Sequence, residues 1–199
     1  MTSLTLTQAL DRYAEAVQGC TACPARADAL GDPVPCRTPM LPDLGAGVRA
    51  LVVAPTPTTT KWGGVMFSGS AGRVLDEFLE HAGLTPEVDV AYSYAVRCLL
   101  RANVTPTPDV VSNCARFLRV ELRLLRPQVV VALGAKAVHA MTGIPRLADA
   151  VDQNPHDYYG VPLVAVPSPA LAATNAKARN ELLSGAGVVS RHLTTEAPL

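Results

Sequence analysis

Ala50-Leu51-Val52-Val53-Ala54-Pro55 decides the fold of this chain. Five consecutive apolar residues closed by a proline are too short for a buried helix. They also lack the alternation of a strand with one wet face, so they read as a strand covered on both sides. Such a strand implies parallel neighbours and helices above and below, and the chain supplies both. Gly69-Ser70-Ala71-Gly72 opens a segment with Val74, Leu75, Phe78, Leu79 and Ala82 at helical spacing, closed by Gly83 as a C-terminal cap. Val88 to Val96 reads as a second strand, Asp109 to Leu125 as a long helix, and Gln128 to Leu133 as a third strand. A helix follows to Met141, then a fourth strand from Pro162 to Val166. Leu171 to Leu193 reads as mainly helical, with weak points at Ser184 to Gly187. Strands alternating with helices predict an α/β fold: a three-layer α/β/α arrangement around a central four-stranded parallel sheet. Ligands of such sheets bind beyond the carboxyl ends of the strands, here the loops after Ala54, Val96, Leu133 and Val166.

Upstream, Leu10, Tyr13, Ala14 and Val17 mark a helix from about Leu4 to Gln18 that delivers Cys20, and Pro24 to Gly47 reads as an irregular wrap. There is no internal repeat and no linker, so residues 1–199 are read as one domain. A hydrophobic fraction of 49% in 199 residues is ample for a core and excludes disorder of the whole. Seventeen basic residues balance seventeen acidic ones, so any polyanion contact must come from a local patch. No apolar run reaches membrane-spanning length, and the polar amino terminus lacks a signal-peptide pattern, which predicts a cytoplasmic protein with no membrane partner, expected to be a monomer.

Four cysteines carry the chemistry: the Cys20/Cys23 pair, Cys98, and Cys114 sixteen residues on. Thiolates favour zinc, copper(I) or iron-sulfur clusters, and a Cys-x-x-Cys turn lets two sulfurs converge on one centre. Zinc modules present two tight pairs, whereas the wide Cys98 to Cys114 gap favours a cluster. The competing reading makes Cys98 and Cys114 buried core thiols and Cys20/Cys23 a redox or incidental pair. Cys36 is either an alternative ligand or a bystander.

With Phe67-Ser68-Gly69-Ser70-Ala71-Gly72, Val96-Arg97-Cys98 and Leu133-Gly134-Ala135, these cysteines make the chain resemble the iron-sulfur branch, family 4, of the uracil-DNA glycosylase superfamily. The resemblance runs from Gly19 to the last helix. It implies a 4Fe-4S cluster held by Cys20, Cys23, Cys98 and Cys114, a Phe67 that stacks on a base, and DNA or a nucleotide as partner, with a protein partner in DNA metabolism conceivable. The resemblance fails where the chemistry should be. The family's Gly-Glu-x-Pro-Gly loop corresponds to Val53-Ala54-Pro55-Thr56-Pro57. Its uracil-reading asparagine corresponds to Tyr94, and its His-Pro-Ser motif to Val166-Pro167-Ser168. Glycosidic cleavage needs stabilisation on both sides of an oxocarbenium-like sugar, and losing one such donor costs about 100- to 1000-fold.

Other polar groups compete for a role. Lys61 is either a Schiff-base nucleophile or a solvated lysine, and Trp62 either stacks on a nucleotide or closes a loop. Thr56, Thr58, Thr59 and Thr60 offer phosphate contacts or only a Pro-Thr loop. Ser168 bonds a phosphate or fixes a turn. Arg97, Arg101, Arg116, Arg119, Arg123 and Arg126 form either a local basic patch or an ordinary solvated face. His156 is the one histidine expected near a ligand-binding edge, whereas His81, His139 and His192 fall in helices. Three functions follow: a pseudoenzyme of glycosylase type that binds DNA or a nucleobase without family-type uracil excision; an active glycosylase using Lys61, Tyr94 or His156 on uracil or another modified base; or a structural protein in which the cluster is a folding staple.

Overall fold

The computed structural model describes residues 5–23, 48–57, 67, 69–98 and 106–194. Helix α1 (Leu6–Gln18) starts at Thr5, whose hydroxyl accepts from the Gln8 amide while the Gln8 side chain accepts from the Thr5 amide. This reciprocal pair satisfies two donors that a helix start leaves open. Strand β1 (Ala50–Ala54) is buried throughout. It leads to α2 (Gly69–His81) and then β2 (Val90–Tyr94). The predicted glycine cap of α2 forms at Gly83, with φ at +78° and the Leu84 amide reaching back to the Leu79 carbonyl at 2.9 Å. Next come α3 (Pro108–Leu125), β3 (Val129–Leu133), α4 (Gly134–Thr142) and α5 (Leu147–Asp152). The chain ends in β4 (His156–Tyr158), β5 (Val161–Val166), α6 (Pro169–Ala172) and α7 (Ala176–Ser190).

The sheet has five strands in the order β2-β1-β3-β5-β4. The four long strands are parallel, as expected. The fifth, β4, is an addition to the predicted four: it pairs antiparallel with β5 through Tyr158 opposite Val161 and His156 opposite Leu163. Tyr159 (φ 53°) and Gly160 (φ 84°) form its two-residue turn, and two left-handed residues match the twist of a tight hairpin. The Asn154 side chain extends the pairing by donating to the Ala165 carbonyl and accepting from the Ala165 amide, both at 2.8 Å. Three residues of mixed polarity carry no strand period, which is why sequence pattern misses β4.

Alternate strand residues feed two cores. Ala50, Val52, Val131, Leu133, Val164 and Val166 pack with Val74, Phe78, Leu79 and Leu182 of α2 and α7. Leu51, Val53, Val130, Ala132, Leu163 and Ala165 pack with Leu118, Leu122, Val138 and Ala150 of α3, α4 and α5. These are the three expected layers. The weak points at Ser184 to Gly187 do not interrupt α7, because Gly185 serves the packing: a Cβ there would lie 2.5 Å from Val166 Cγ1. A helix must lie close to a strand where only hydrogen fills the gap.

Candidate functional site

The parallel strands end in register, with Ala54 opposite Tyr94 and Leu133 opposite Val166. Strand β1 sits between β2 and β3, so the chain leaves it in both directions, and this switch point is where ligands of such sheets bind. Phe67, Tyr94 and Ser168 all belong to segments bordering this edge. Phe67 is half-buried against the α2 side of the core, and Gly72 stands close beneath it: a Cβ there would meet the Phe67 carbonyl oxygen at 3.3 Å. Gly69, at φ +63°, turns the chain from Phe67 into α2, so two glycines of the Phe-x-Gly-x-Ala-Gly segment have backbone reasons for their identity. Tyr94 is half-buried at the end of β2. Ser168 caps α6, its hydroxyl accepting from the Leu171 amide at 3.3 Å. It also abuts Gly134, where a Cβ would lie 2.9 Å from Ser168 Cβ. The loops after β3 and β5 therefore touch, and the first role of Ser168 is structural.

The segments that follow β1, β2 and β5 are without acidic residues or histidine in sequence. From Ala54 to Leu75, from Val90 to Pro108 and from Val166 to Asn180 the sequence contains no Asp, Glu or His. His156, expected near the edge, is not brought there. It lies in β4 opposite Leu163, midway along β5, and its Nε2–H donates to the Ala150 carbonyl at 2.8 Å. Lys61, Trp62, Cys36, Arg101 and Thr58 to Thr60 lie outside the described residues, as does the whole of the predicted wrap from Pro24 to Gly47.

The four cysteines belong to one small core at the side of this edge. Tyr13, Val17, Val96, Cys98, Val110, Cys114 and Phe117 form it, with Cys20 and Cys23 packed against it. Two main-chain bonds aim Cys98 there: the Ala95 amide donates to the Ala54 carbonyl at 2.8 Å and the Val96 amide to Pro55 at 3.0 Å, zipping the exit of β2 onto the loop after β1. None of the four thiols is in a disulfide. Arg116 Nη2 donates to Cys20 Sγ at 3.0 Å, and Asn113 Nδ2 holds the Ala22 carbonyl at 3.3 Å. Burial pushes the Cys114 thiol up, opposed by the Arg97 backbone N–H and the Arg97 charge, and Cys23 and Cys20 add to the upward push. Cys20 and Cys23 thus stand within electrostatic reach of Cys114, although no three His, Cys, Asp or Glu among the described residues form a group tight enough for a single metal ion.

Arg97 overturns one expectation. It is wholly buried and belongs to no surface patch. Arg116, Arg119, Arg123 and Arg126 are exposed, with Arg116 also 4.8 Å from the Phe117 ring centroid and Arg119 5.6 Å from that of Tyr159. The partner of Arg97 is Glu121, 1% exposed, which sequence reasoning missed. The signal was present: Cys114, Phe117, Leu118, Leu122 and Leu125 define an apolar stripe on α3, and Glu121 lies on it. A carboxylate on a buried stripe announces a buried partner.

A parallel sheet with a switch point, an aromatic edge and an adjoining thiol core defines the class of α/β proteins whose ligands bind beyond the carboxyl ends of the strands. The profile of the Uracil DNA glycosylase superfamily matches residues 42–185, and the chain belongs to that superfamily. It is similar to the Type-4 uracil-DNA glycosylase of Thermotoga maritima, 31% identical over 156 residues and 76% of each chain. A Type-4 uracil-DNA glycosylase of Pyrobaculum aerophilum is 29% identical over 140 residues, 67% of this chain and 66% of the relative. A Type-5 uracil-DNA glycosylase of the same organism is 36% identical over 115 residues, about half of each chain. Among the described residues no helix is long and apolar enough to cross a membrane.

Proposed function

We propose that this protein binds DNA at an exposed or flipped base through the Phe67–Tyr94 edge, without excising uracil by the family's mechanism. One observation carries the reading: the loops that follow β1, β2 and β5 contain no Asp, Glu or His, in a chain whose relatives are named uracil-DNA glycosylases. Stacking a base needs only aromatic faces and is worth about 1–3 kcal/mol per base. Cleaving its glycosidic bond by the family's route uses a carboxylate or histidine, and the loops after β1, β2 and β5 supply neither in sequence.

Cys20, Cys23, Cys98 and Cys114 are the residues that would hold a 4Fe-4S cluster. The donor set fits: four thiols from three segments in one largely apolar core, beside Arg116 and the Arg97 amide as donors to sulfur. The sulfurs gather without closing on a point, and an iron-sulfur cube, larger than a single ion, asks for no such closure. When bound, the cluster would supply a covalent tie between α1, the exit of β2 and α3.

The test uses one purified sample. Fluorescence anisotropy with a uracil-containing single strand should show binding that weakens steeply with salt. Alkaline treatment of the same oligonucleotide should reveal no abasic site. Excision of uracil, or no binding at low salt, would overturn the proposal.

A further inference from the structure

Arg97 is more deeply placed than a structural ion pair requires. Its guanidinium is fully buried, with Nη2 2.9 Å from Glu121 Oε1 and Nε donating to the Tyr13 hydroxyl at 3.3 Å. Tyr13 Oη in turn donates to Glu121 Oε1 and Ser93 Oγ to Glu121 Oε2, each at 2.6 Å. Glu121 is therefore richly supplied with donors, while Arg97 is not. Its Nη2 meets the carboxylate only as an ion pair, and Nη1 has no hydrogen-bond partner among the described residues. A buried donor left unmade costs about 1–3 kcal/mol, more on a charged group, which marks this guanidinium for a role beyond the ion pair.

The three elements that meet at this ion pair are those that carry the cysteines. Tyr13 lies on α1, which delivers Cys20 and Cys23, Arg97 immediately precedes Cys98, and Glu121 sits on α3, two turns past Cys114. Glu121 stands two turns from the nearest cysteine of its helix, whereas Arg97 is the chain neighbour of Cys98. The positive member of the buried pair is thus carried on the turn that presents Cys98.

We propose that Arg97 is the positioning residue of the thiol site: it locks the three cysteine-bearing segments in place and sets the local potential that lets four negatively charged sulfurs share one buried core. The inference rests on the reading of Cys20, Cys23, Cys98 and Cys114 as cluster ligands. Charge near a cluster and hydrogen bonds to its sulfurs move its reduction potential, and partners behind the ligands typically change metal affinity by about 10- to 100-fold.

The test compares wild type with two variants on anaerobically purified full chain, scoring iron per chain, release of iron to a chelator, and the reduction midpoint. The paired replacement Arg97→Met with Glu121→Met removes both charges at similar volume, an exchange that buried ion pairs generally tolerate. It should fold by circular dichroism yet release iron about 10- to 100-fold faster and show a lower midpoint. Glu121→Gln leaves the guanidinium unopposed and should raise the midpoint, which decides the matter if the paired variant fails to fold. Equal midpoints and equal release in wild type and folded variants would overturn the role of Arg97 while leaving the cluster intact. Wild type without iron would instead refute the ligand reading itself, and the role of Arg97 with it.

Discussion

Removing one oxygen from Tyr13 should be unusually expensive. Tyr13→Phe keeps the ring and its edge-on contact with Phe117, 6.0 Å between centroids at 82°. It deletes the donor at 2.6 Å to Glu121 and the acceptor at 3.3 Å for Arg97 Nε. Hydrogen bonds to charged groups contribute about 1.5–3 kcal/mol, and the stranded Nε–H adds part of its own desolvation cost. A total of about 3 kcal/mol corresponds to a fall in Tm of about 6–12 °C for a domain of this size. Scanning calorimetry or circular dichroism melts of wild type, Tyr13→Phe and Ser93→Ala provide the assay. Because Tyr13 and Ser93 serve different oxygens of one carboxylate, the double variant should lose less or more than the sum, by at least about 0.5 kcal/mol. Tyr159→Phe is the control, with a ring 56% exposed and no part in the network. A Tyr13→Phe melt within about 2 °C of wild type would refute the argument that this buried network holds α1 to the sheet.

Gly185→Ala should lower stability by about 1–3 kcal/mol through overpacking against Val166, and adding Val166→Ala should recover part of that loss; additive melts would contradict the contact at 2.5 Å. Asn154→Ala removes both main-chain bonds to Ala165 and should cost about 1–3 kcal/mol, with hydrogen exchange of the Ala165 amide accelerated in step; unchanged protection would refute it. Burial, then Asp76 and Glu87, pushes Tyr92 from 10.0 up to about 12. The fold therefore favours its protonated form, so this stability is complete below the unfolded pKa and is lost as pH rises through about 12. Tyr92→Phe should flatten the alkaline limb of a stability–pH curve, leaving the share from Tyr13 and Tyr158, also raised by burial; identical limbs would contradict the assignment. Cys98→Ser should lower both iron content and Tm, because the tie between the exit of β2 and α1 is broken; a variant matching wild type in both would remove Cys98 from the ligand set.

What was legible in the sequence follows the physics of burial. Ala50–Ala54 is apolar on both faces, and its boundaries need no tertiary knowledge. Residues 129–133 and 161–166 are legible for the same reason. The second strand is overdrawn because Val88 and Asp89 are taken by a turn onto the Thr85 carbonyl, and Ala95 and Val96 pair with the loop after β1, beyond the regular ladder. β4 and α5 escape because a three-residue strand and a six-residue helix are too short to show a period. Gly185 reads as a helix breaker in one dimension and as a packing residue in three. Arg97 reads as a surface charge beside other arginines until Glu121, 24 positions on, is brought beneath it. The thiols could be grouped by softness and spacing, but the ion pair behind them depends on contacts that no local pattern records. The departures at Ala54–Pro57, Tyr94 and Val166–Ser168 were visible directly, and the register of β1 with β2 and of β3 with β5 gathers them on one edge.

The most direct measurement is an anaerobic iron and acid-labile sulfide count, with an absorption spectrum, on freshly purified protein. About four irons and four sulfides per chain, with broad absorption near the blue edge of the visible, are expected of a 4Fe-4S cluster on Cys20, Cys23, Cys98 and Cys114. Stoichiometric zinc, or a metal-free chain with the same melting temperature, would contradict the account at its centre.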